Sequence, residues 1–348
     1  MVQTVTRMAL LLLMVNGITE AGSDRPQSDQ SQANLSSAEI KASVDKALKL
    51  IEYSSGESLQ HRKCFTCHHQ AIPILVCAAA KSRGIAIDSR NLRMQLKRTR
   101  DHLASGRDNY LQGKGQGGKA DTAGYALWAL QAHDHQPDAT TQPVASYLLG
   151  WQGKSEHWKC TSHRPPSEAS DFTTSYLAIR GLRAYADPQK SPPVMQRLKQ
   201  VQAWLQSSQP VDNEDRVFQL RALHLLDGTD ALVQQLGKKL IKQQRSDGGW
   251  SQTSELTSDA YATGTSLSVL HTVGLLKVDS EAYQRGLRFL IEKQQEDGSW
   301  HVKSRSRPFQ TYYETGFPHG KDQFISMMAS GWSTIALINA YPATDKQP

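Results

Sequence analysis

From residue 38 onward, apolar positions recur at helical spacing. "YLLGWQ" (147–152), "KKLIKQQ" (238–244) and "LRFLIEKQQ" (287–295) each put an apolar stripe beside Gln, Lys or Arg. "VQAWLQSSQ" (201–209) is a fourth run of this kind. A second series alternates with the first. It opens at Asp121 ("DTAGYALWAL"), Asp171, Asp215 and Asp259, and closes with "SMMASGWSTIALINA" (326–340). Intervals of 50, 44 and 44 residues separate the four aspartates, each read as a helix N-cap. Strand-like alternation is scarce. The pattern therefore predicts an all-α chain of two-helix units. Helices rich in Ala, Gly, Ser and Thr form an inner layer, and longer charged helices form an outer one. About six hairpins with no obvious polar capping unit favour closure into a ring over an open superhelix.

A short motif ends the charged helices. Gln244-x-x-Asp247-Gly248-Gly249-Trp250 returns as Gln294-x-x-Asp297-Gly298-Ser299-Trp300, and Gln152 to Trp158 is a degenerate third copy. The Asp-Gly pair is a helix stop. The Gln and Trp read as structural staples between hairpins.

These repeats resemble those of the squalene cyclase and prenyltransferase superfamily, and most nearly its short bacterial repeat proteins, over roughly residues 38–342. The resemblance implies an (α/α)6 toroid with an apolar central cavity, in which the glutamine caps helix carbonyls and stacks on the tryptophan. It also implies an apolar or isoprenoid ligand. Squalene–hopene cyclases protonate an alkene with an Asp-x-Asp-Asp-Thr-Ala acid motif. The matching stretch here runs from Asp259 through Tyr261 to Gly264 and keeps only the first aspartate. A phenol at the central position is a poor alkene protonator. Asp259 then reads as an N-cap, and ordinary squalene cyclisation is not expected. The zinc-binding set of the protein prenyltransferases is not matched either, since no cysteine follows Cys160.

An insertion at 301–325 interrupts the last unit and carries Tyr312, Tyr313, Glu314, His319, Lys321 and Asp322. Glu314, His319 and Asp322 join Asp259 and Tyr261 as candidate catalytic residues, with a structural loop over the barrel mouth as the alternative.

Cys64-x-x-Cys67-His68 is the attachment pattern of c-type haem, with His68 as the iron ligand. A haem protein would also need a redox partner. A local disulfide or redox pair, and zinc held with His68 or His69, stay open. Cys77 reads as buried, and Cys160 as a conceivable partner for it.

Two features of the wider chain bear on location. Arg7 precedes the apolar run 8–15, which is too short to span a bilayer, and small residues follow up to Ala21. Residues 1–21 thus read as a signal peptide, 22–37 as a disordered linker and 343–348 as a tail, so an exported, periplasmic or otherwise extracytoplasmic protein is expected. The net charge of +7 includes a basic stretch at 81–107 that reads as a solvated helix face. No nucleic-acid motif accompanies it, and a weak attraction to anionic membrane surfaces is the most it implies. The glycine-rich stretch 113–120 ends in Ala120, where a P-loop needs Ser or Thr. Terpene-cyclase-like catalysis, a haem-dependent oxidoreductase and a non-catalytic repeat scaffold are the functions these features support.

Overall fold

A computed structural model describes residues 34–186, 191–228, 230–307 and 314–343. The segment expected to be a signal peptide, most of the expected linker, Tyr312, Tyr313 and all of the expected tail but Ala343 lie outside the described residues. Among those described, two isolated bridges are the only β pairing, and thirteen α-helices make up the rest of the regular structure apart from two short turns.

Six helices form the inner layer: α2 (Ile72–Ser82), α5 (Lys119–Gln131), α7 (Asp171–Tyr185), α9 (Asn213–Leu225), α11 (Ala260–Thr272) and α13 (Gln323–Ala340). Six more surround them: α1 (Ser37–His61), α3 (Ser89–Ser105), α6 (Thr141–Gly150), α8 (Pro192–Ser207), α10 (Asp230–Ile241) and α12 (Glu281–Lys293). A single short helix, α4 (Arg107–Leu111), is added beside α3 and α6. Each inner helix packs on the next, and α13 packs against both α11 and α2, so the ring closes. The inner helices are buried almost throughout; from 260 to 270, every residue of α11 is buried. Small residues permit this crowding. A Cβ on Gly264 would sit 2.7 Å from the backbone of α13 at Trp332 and Ser333.

The repeats are staples, with roles that differ from those expected. The indole, rather than the glutamine, caps the helix. Trp158, Trp250 and Trp300 donate Nε1–H to the carbonyls of Leu148, Leu240 and Leu290 at 2.8, 2.8 and 2.6 Å, each ten residues back near a helix end. Their backbone amides donate to hydroxyls of the following inner helix, Ser175, Thr263 and Ser330. Gln244 Nε2 instead bridges outward to the Ala282 carbonyl of α12, at 2.7 Å. Gln294 makes the same joint across the ring closure, to the Ser43 carbonyl of α1 at 3.0 Å. Gly298, at φ +91°, lies so near α1 that a Cβ would meet the Lys46 carbonyl oxygen at 2.5 Å.

Three further boundaries shift. Order begins before residue 38: the Leu35 amide donates to Gln284 Oε1 at 2.9 Å and Ser36 caps α1. Ser170 and Asp212, not Asp171 and Asp215, cap α7 and α9. Asp121 lies inside the first turn of α5, so it is no cap at all.

The expected hollow is filled at one level. Trp128 and Trp332 meet across the ring with centroids 5.9 Å apart. Tyr176 and Phe218 extend the stack. The guanidiniums of Arg180 and Arg221 cover Trp128 and Trp332 at 5.0 and 4.8 Å. Aromatic faces attract such cations, which helps to hold Arg221 in a site only 7% exposed.

Candidate functional site

The candidate site lies at the N-terminal end of the inner helices. Thr66 caps a π-helical turn, Cys67–Ala71, that leads into α2. Gln70 folds back so that its Oε1 accepts from the Thr66 amide (2.7 Å) and hydroxyl (2.9 Å). This fixes Cys67, His68 and His69 as a buried edge of the ring. The Cys67 thiol donates to Glu168 at 2.5 Å and stands 3.8 Å from His68 Nδ1. Glu168 is held by paired backbone hydrogen bonds with Arg164, both 3.0 Å, and by an ion pair to the Arg164 guanidinium at 3.2 Å. Arg164 in turn lies 4.0 Å over the Phe324 ring. His69 points to the Thr315 hydroxyl, 2.9 Å from Nε2.

Burial dominates the electrostatics here. It drives the Cys67 thiol well above its ordinary range, with the Glu168 carboxylate adding to the effect. It holds His68 far below the normal imidazole range and brings His69 down to about 3. All three are neutral at physiological pH.

Beside this cluster stand two buried carboxyls. Asp121 accepts from the Thr174 hydroxyl at 2.5 Å and from the Cys160 thiol at 3.3 Å, and burial pushes it up to about 7. Glu214 accepts from the Thr173 hydroxyl at 2.8 Å and from the Tyr261 hydroxyl at 3.0 Å, and burial pushes it up to about 8. Tyr125, 1% exposed, has no partner for its hydroxyl and lies within charge range of Cys67, Glu214, Glu168 and Asp121. Two open grooves on the outer wall, of about 500 and 1100 Å³, are lined by none of these residues.

The predicted residues divide. Cys67, His68 and Tyr261 are in or beside the cluster. Asp259 is the N-cap of α11, accepting from the Ala262 amide at 3.0 Å, and burial raises it to about 6. His319 and Asp322 fasten the last repeat turn. Asp322 accepts from the Ser304 amide and pairs with His301 at 2.9 Å, while His319 stacks on His301 and reaches Ser299 at 2.8 Å. The same joint occurs at the degenerate copy, where His157 pairs with Asp171. Glu314 accepts from the amides of Thr315 and Gly316 in its own turn. Glu168, Asp121 and Glu214 were not anticipated. One signal for Glu214 did exist: Asp212, Glu214 and Asp215 crowd one helix start, where a single residue can cap.

The haem c reading does not fit these residues. A porphyrin held by two thioethers needs both thiols and the histidine at one open face. Cys64 is exposed, whereas Cys67 and His68 are buried, with the Cys67 thiol on Glu168. No disulfide joins the cysteines: all four are free thiols, Cys77 is buried, and Cys160 turns to Asp121 rather than to Cys77.

Residues 215–336 match the family model of the squalene-hopene cyclase C-terminal domain. Over that stretch the chain resembles the squalene cyclase superfamily. Lanosterol synthase erg7A of Aspergillus fumigatus is 35% identical over 106 residues, which is 30% of this chain but 13% of that synthase. Lanosterol synthase ERG7 of Saccharomyces cerevisiae is 30% identical over 102 residues, 29% of this chain and again 13% of the relative. Among solved structures, the type II terpene cyclase MstE from Scytonema superposes with a TM-score of 0.54 at 15% identity, covering 89% of this chain and all of that one. A complex of one of its single-residue variants holds geranylgeranyl dihydroxybenzoate. A glycosidase bound to glucose superposes at 0.50 and 13% identity over 88% of this chain and all of its own. The toroid is thus shared by unrelated chemistries, and function must be read from the site.

Proposed function

We propose that the ring takes an oxygenated isoprenoid, or another mainly apolar ligand, and acts on it by acid–base chemistry at the inner-helix N-termini. Glu214 is the proton donor. The observation that carries this reading is the Glu214 carboxyl itself: buried, hydrogen-bonded to Thr173 and Tyr261, and raised to about 8, so that it keeps its proton at neutral pH. It stands on α9, next to the start of α11, where the cyclase-like motif has lost its central acid to Tyr261. A carboxyl of this strength is too weak to protonate a bare alkene. It suits a polarised oxygen, such as an epoxide or carbonyl, whose acceptance of a proton is far less demanding. The aromatic rings of Trp128, Trp332, Tyr176 and Phe218 supply an apolar floor.

The chemistry is tested with the full chain and a panel of isoprenoid alcohols, epoxides and carbonyl compounds, from farnesyl to squalene size. Organic extraction and mass spectrometry report what the purified protein carries and converts. Ligand binding retained but turnover lost in Glu214→Gln supports the reading. If no member of the panel binds and the extract is empty, the ring is a scaffold for protein partners. We also place this activity outside the cytoplasm, on the strength of the leader-like segment 1–21. A mature N-terminus close to Ala21 is the expected result, and an intact Met1 on protein recovered from the cytoplasm counts against it.

A further inference from the structure

We propose that Cys67, His68 and Glu168 form a binding site for a divalent transition-metal ion of the zinc type. The Cys67 Sγ, a His68 ring nitrogen and a Glu168 carboxylate oxygen all lie within 4.8 Å of one another. Thiolate and imidazole ligands suit zinc and its neighbours rather than magnesium or calcium, and zinc takes these same three donor types.

The site is built rather than incidental. Its ligands come from two segments 101 residues apart, and each segment is held by hydrogen bonds that do not involve the donor atoms. The π-helical turn is locked by Gln70 folding back on Thr66. The 164–168 turn is locked by its backbone pair, and Arg164 orients the Glu168 carboxylate from behind. Cys67, His68 and their neighbour His69 are buried, so little solvent competes for the donors.

A second observation points to something bound. The Tyr125 hydroxyl is buried, unpartnered and within charge range of Cys67 and Glu168. Buried polar atoms normally find partners. Three protein ligands leave one tetrahedral position for water, and the Tyr125 hydroxyl is a spare group that a metal-bound water would satisfy. The assignment uses residues from the haem-like motif but a different donor set: Cys64 is left out, and Glu168, remote in sequence, comes in. It is independent of the acid–base reading, because binding is measured without substrate.

The experiment uses the full chain, dialysed against a chelator and titrated with cobalt(II), with elemental analysis of the protein before dialysis. We expect one equivalent of zinc or a related ion per chain as isolated, and a thiolate-to-cobalt charge-transfer band on titration. Cys67→Ser should abolish that band. Glu168→Gln, which keeps the shape and leaves the thiol, should weaken cobalt affinity at least tenfold. Cys77→Ser removes a buried thiol outside the site and should leave the titration unchanged. Circular dichroism and thermal melting show whether each variant is folded, and Glu168→Gln carries the test if Cys67→Ser is not. The proposal is overturned by the absence of metal and of any cobalt band in folded wild-type protein. It is equally overturned if the band depends on Cys64 rather than Glu168, or if a Soret absorption survives acid–acetone extraction.

Discussion

The arc from Gln244 to Trp300 and the arc from Cys64 to Glu168 belong to one ring but follow different rules. In the first, two turns of nearly identical sequence make identical joints: indole to helix end, amide to inner hydroxyl, glutamine to the next outer helix. In the second, the repeat is relaxed. The copy at Gln152–Trp158 keeps the indole joint at 2.8 Å. Its glutamine, however, turns back on Lys159, and Arg197 binds the turn carbonyls and stacks over Trp158 instead. The chain released by that relaxation, 159–170, delivers Cys160 and Glu168 to the buried cluster. The Cys67–Glu168 contact forms where the repeat lapses, and the regular joints form where it is kept.

The sharpest way to break this comparison is to remove a staple from each arc. Trp250→Ala deletes a fully buried indole and its cap in the strict arc, and Trp158→Ala does the same in the relaxed one. Each should cost about 3–5 kcal/mol in denaturant unfolding. A much smaller cost at Trp158 would mean that Arg197 has taken over the joint and that the relaxed arc no longer relies on its indole.

Next comes a test that separates the buried carboxyls from the staples. Glu214 is raised from 4.5 to about 8 by burial. A carboxyl raised on folding gives stability that is full below about pH 4.5 and lost as pH climbs through 8. Asp121, raised from 3.8 to about 7, acts the same way over its own window. Wild-type unfolding free energy should therefore fall between about pH 5 and 8, by up to about 1.4 kcal/mol per pH unit for each group. Glu214→Gln should flatten that slope and gain on wild type as the solution turns alkaline. The staple variants should keep the wild-type slope and shift it downward. A pH-independent difference between Glu214→Gln and wild type would show that this carboxyl does not hold its proton.

Much of this was legible in advance, and for a physical reason. A staple is local: glutamine, turn and tryptophan lie within seven residues, and their spacing is visible in any window. The alternation of small-residue and charged helices marks inner and outer layers because burial depends on composition. The cluster is not local. Glu168 reaches Cys67 across 101 positions and Tyr261 reaches Glu214 across 47, so only ring closure brings them together. The cysteine motif is plain in the sequence, but its spacing alone pairs Cys64 with Cys67, and solvent exposure separates those two. His319 and Asp322 read as catalytic candidates because His and Asp in an insertion look so. Here Asp322 pairs with His301, much as Asp171 pairs with His157, and His319 bonds to Ser299 in the last repeat turn.

A smaller effect is expected at the ring's closing joint. Gly298 has φ +91° and Gly248 has φ +85°. Each presses on an outer helix, with a Cβ meeting the Lys46 or Arg285 carbonyl oxygen at 2.5 Å. Gly298→Ala and Gly248→Ala should each cost about 2 kcal/mol, from backbone strain and the displaced neighbour together. A near-zero cost at Gly298 alone would mean that α1 swings clear and the ring opens there.

The finest comparison concerns the glutamines. Gln294 joins the last hairpin to the first through Ser43, donating to its carbonyl at 3.0 Å and accepting from its hydroxyl at 2.7 Å. Gln244 joins two consecutive hairpins through Ala282 and Arg285. Replacing either by Ala leaves a part-buried carbonyl with one partner fewer, and a loss of about 1–2 kcal/mol is expected at both. A double-mutant cycle of Gln294→Ala with Ser43→Ala isolates the closing bond, since Ser43 lies in α1 and touches no other repeat turn through that hydroxyl. A coupling near 1 kcal/mol makes the closure energetically equal to an internal joint. A coupling near zero, with Gln244→Ala still costly, leaves the closure to the packing of α13 on α1 and α2 and to the Leu35–Gln284 bond.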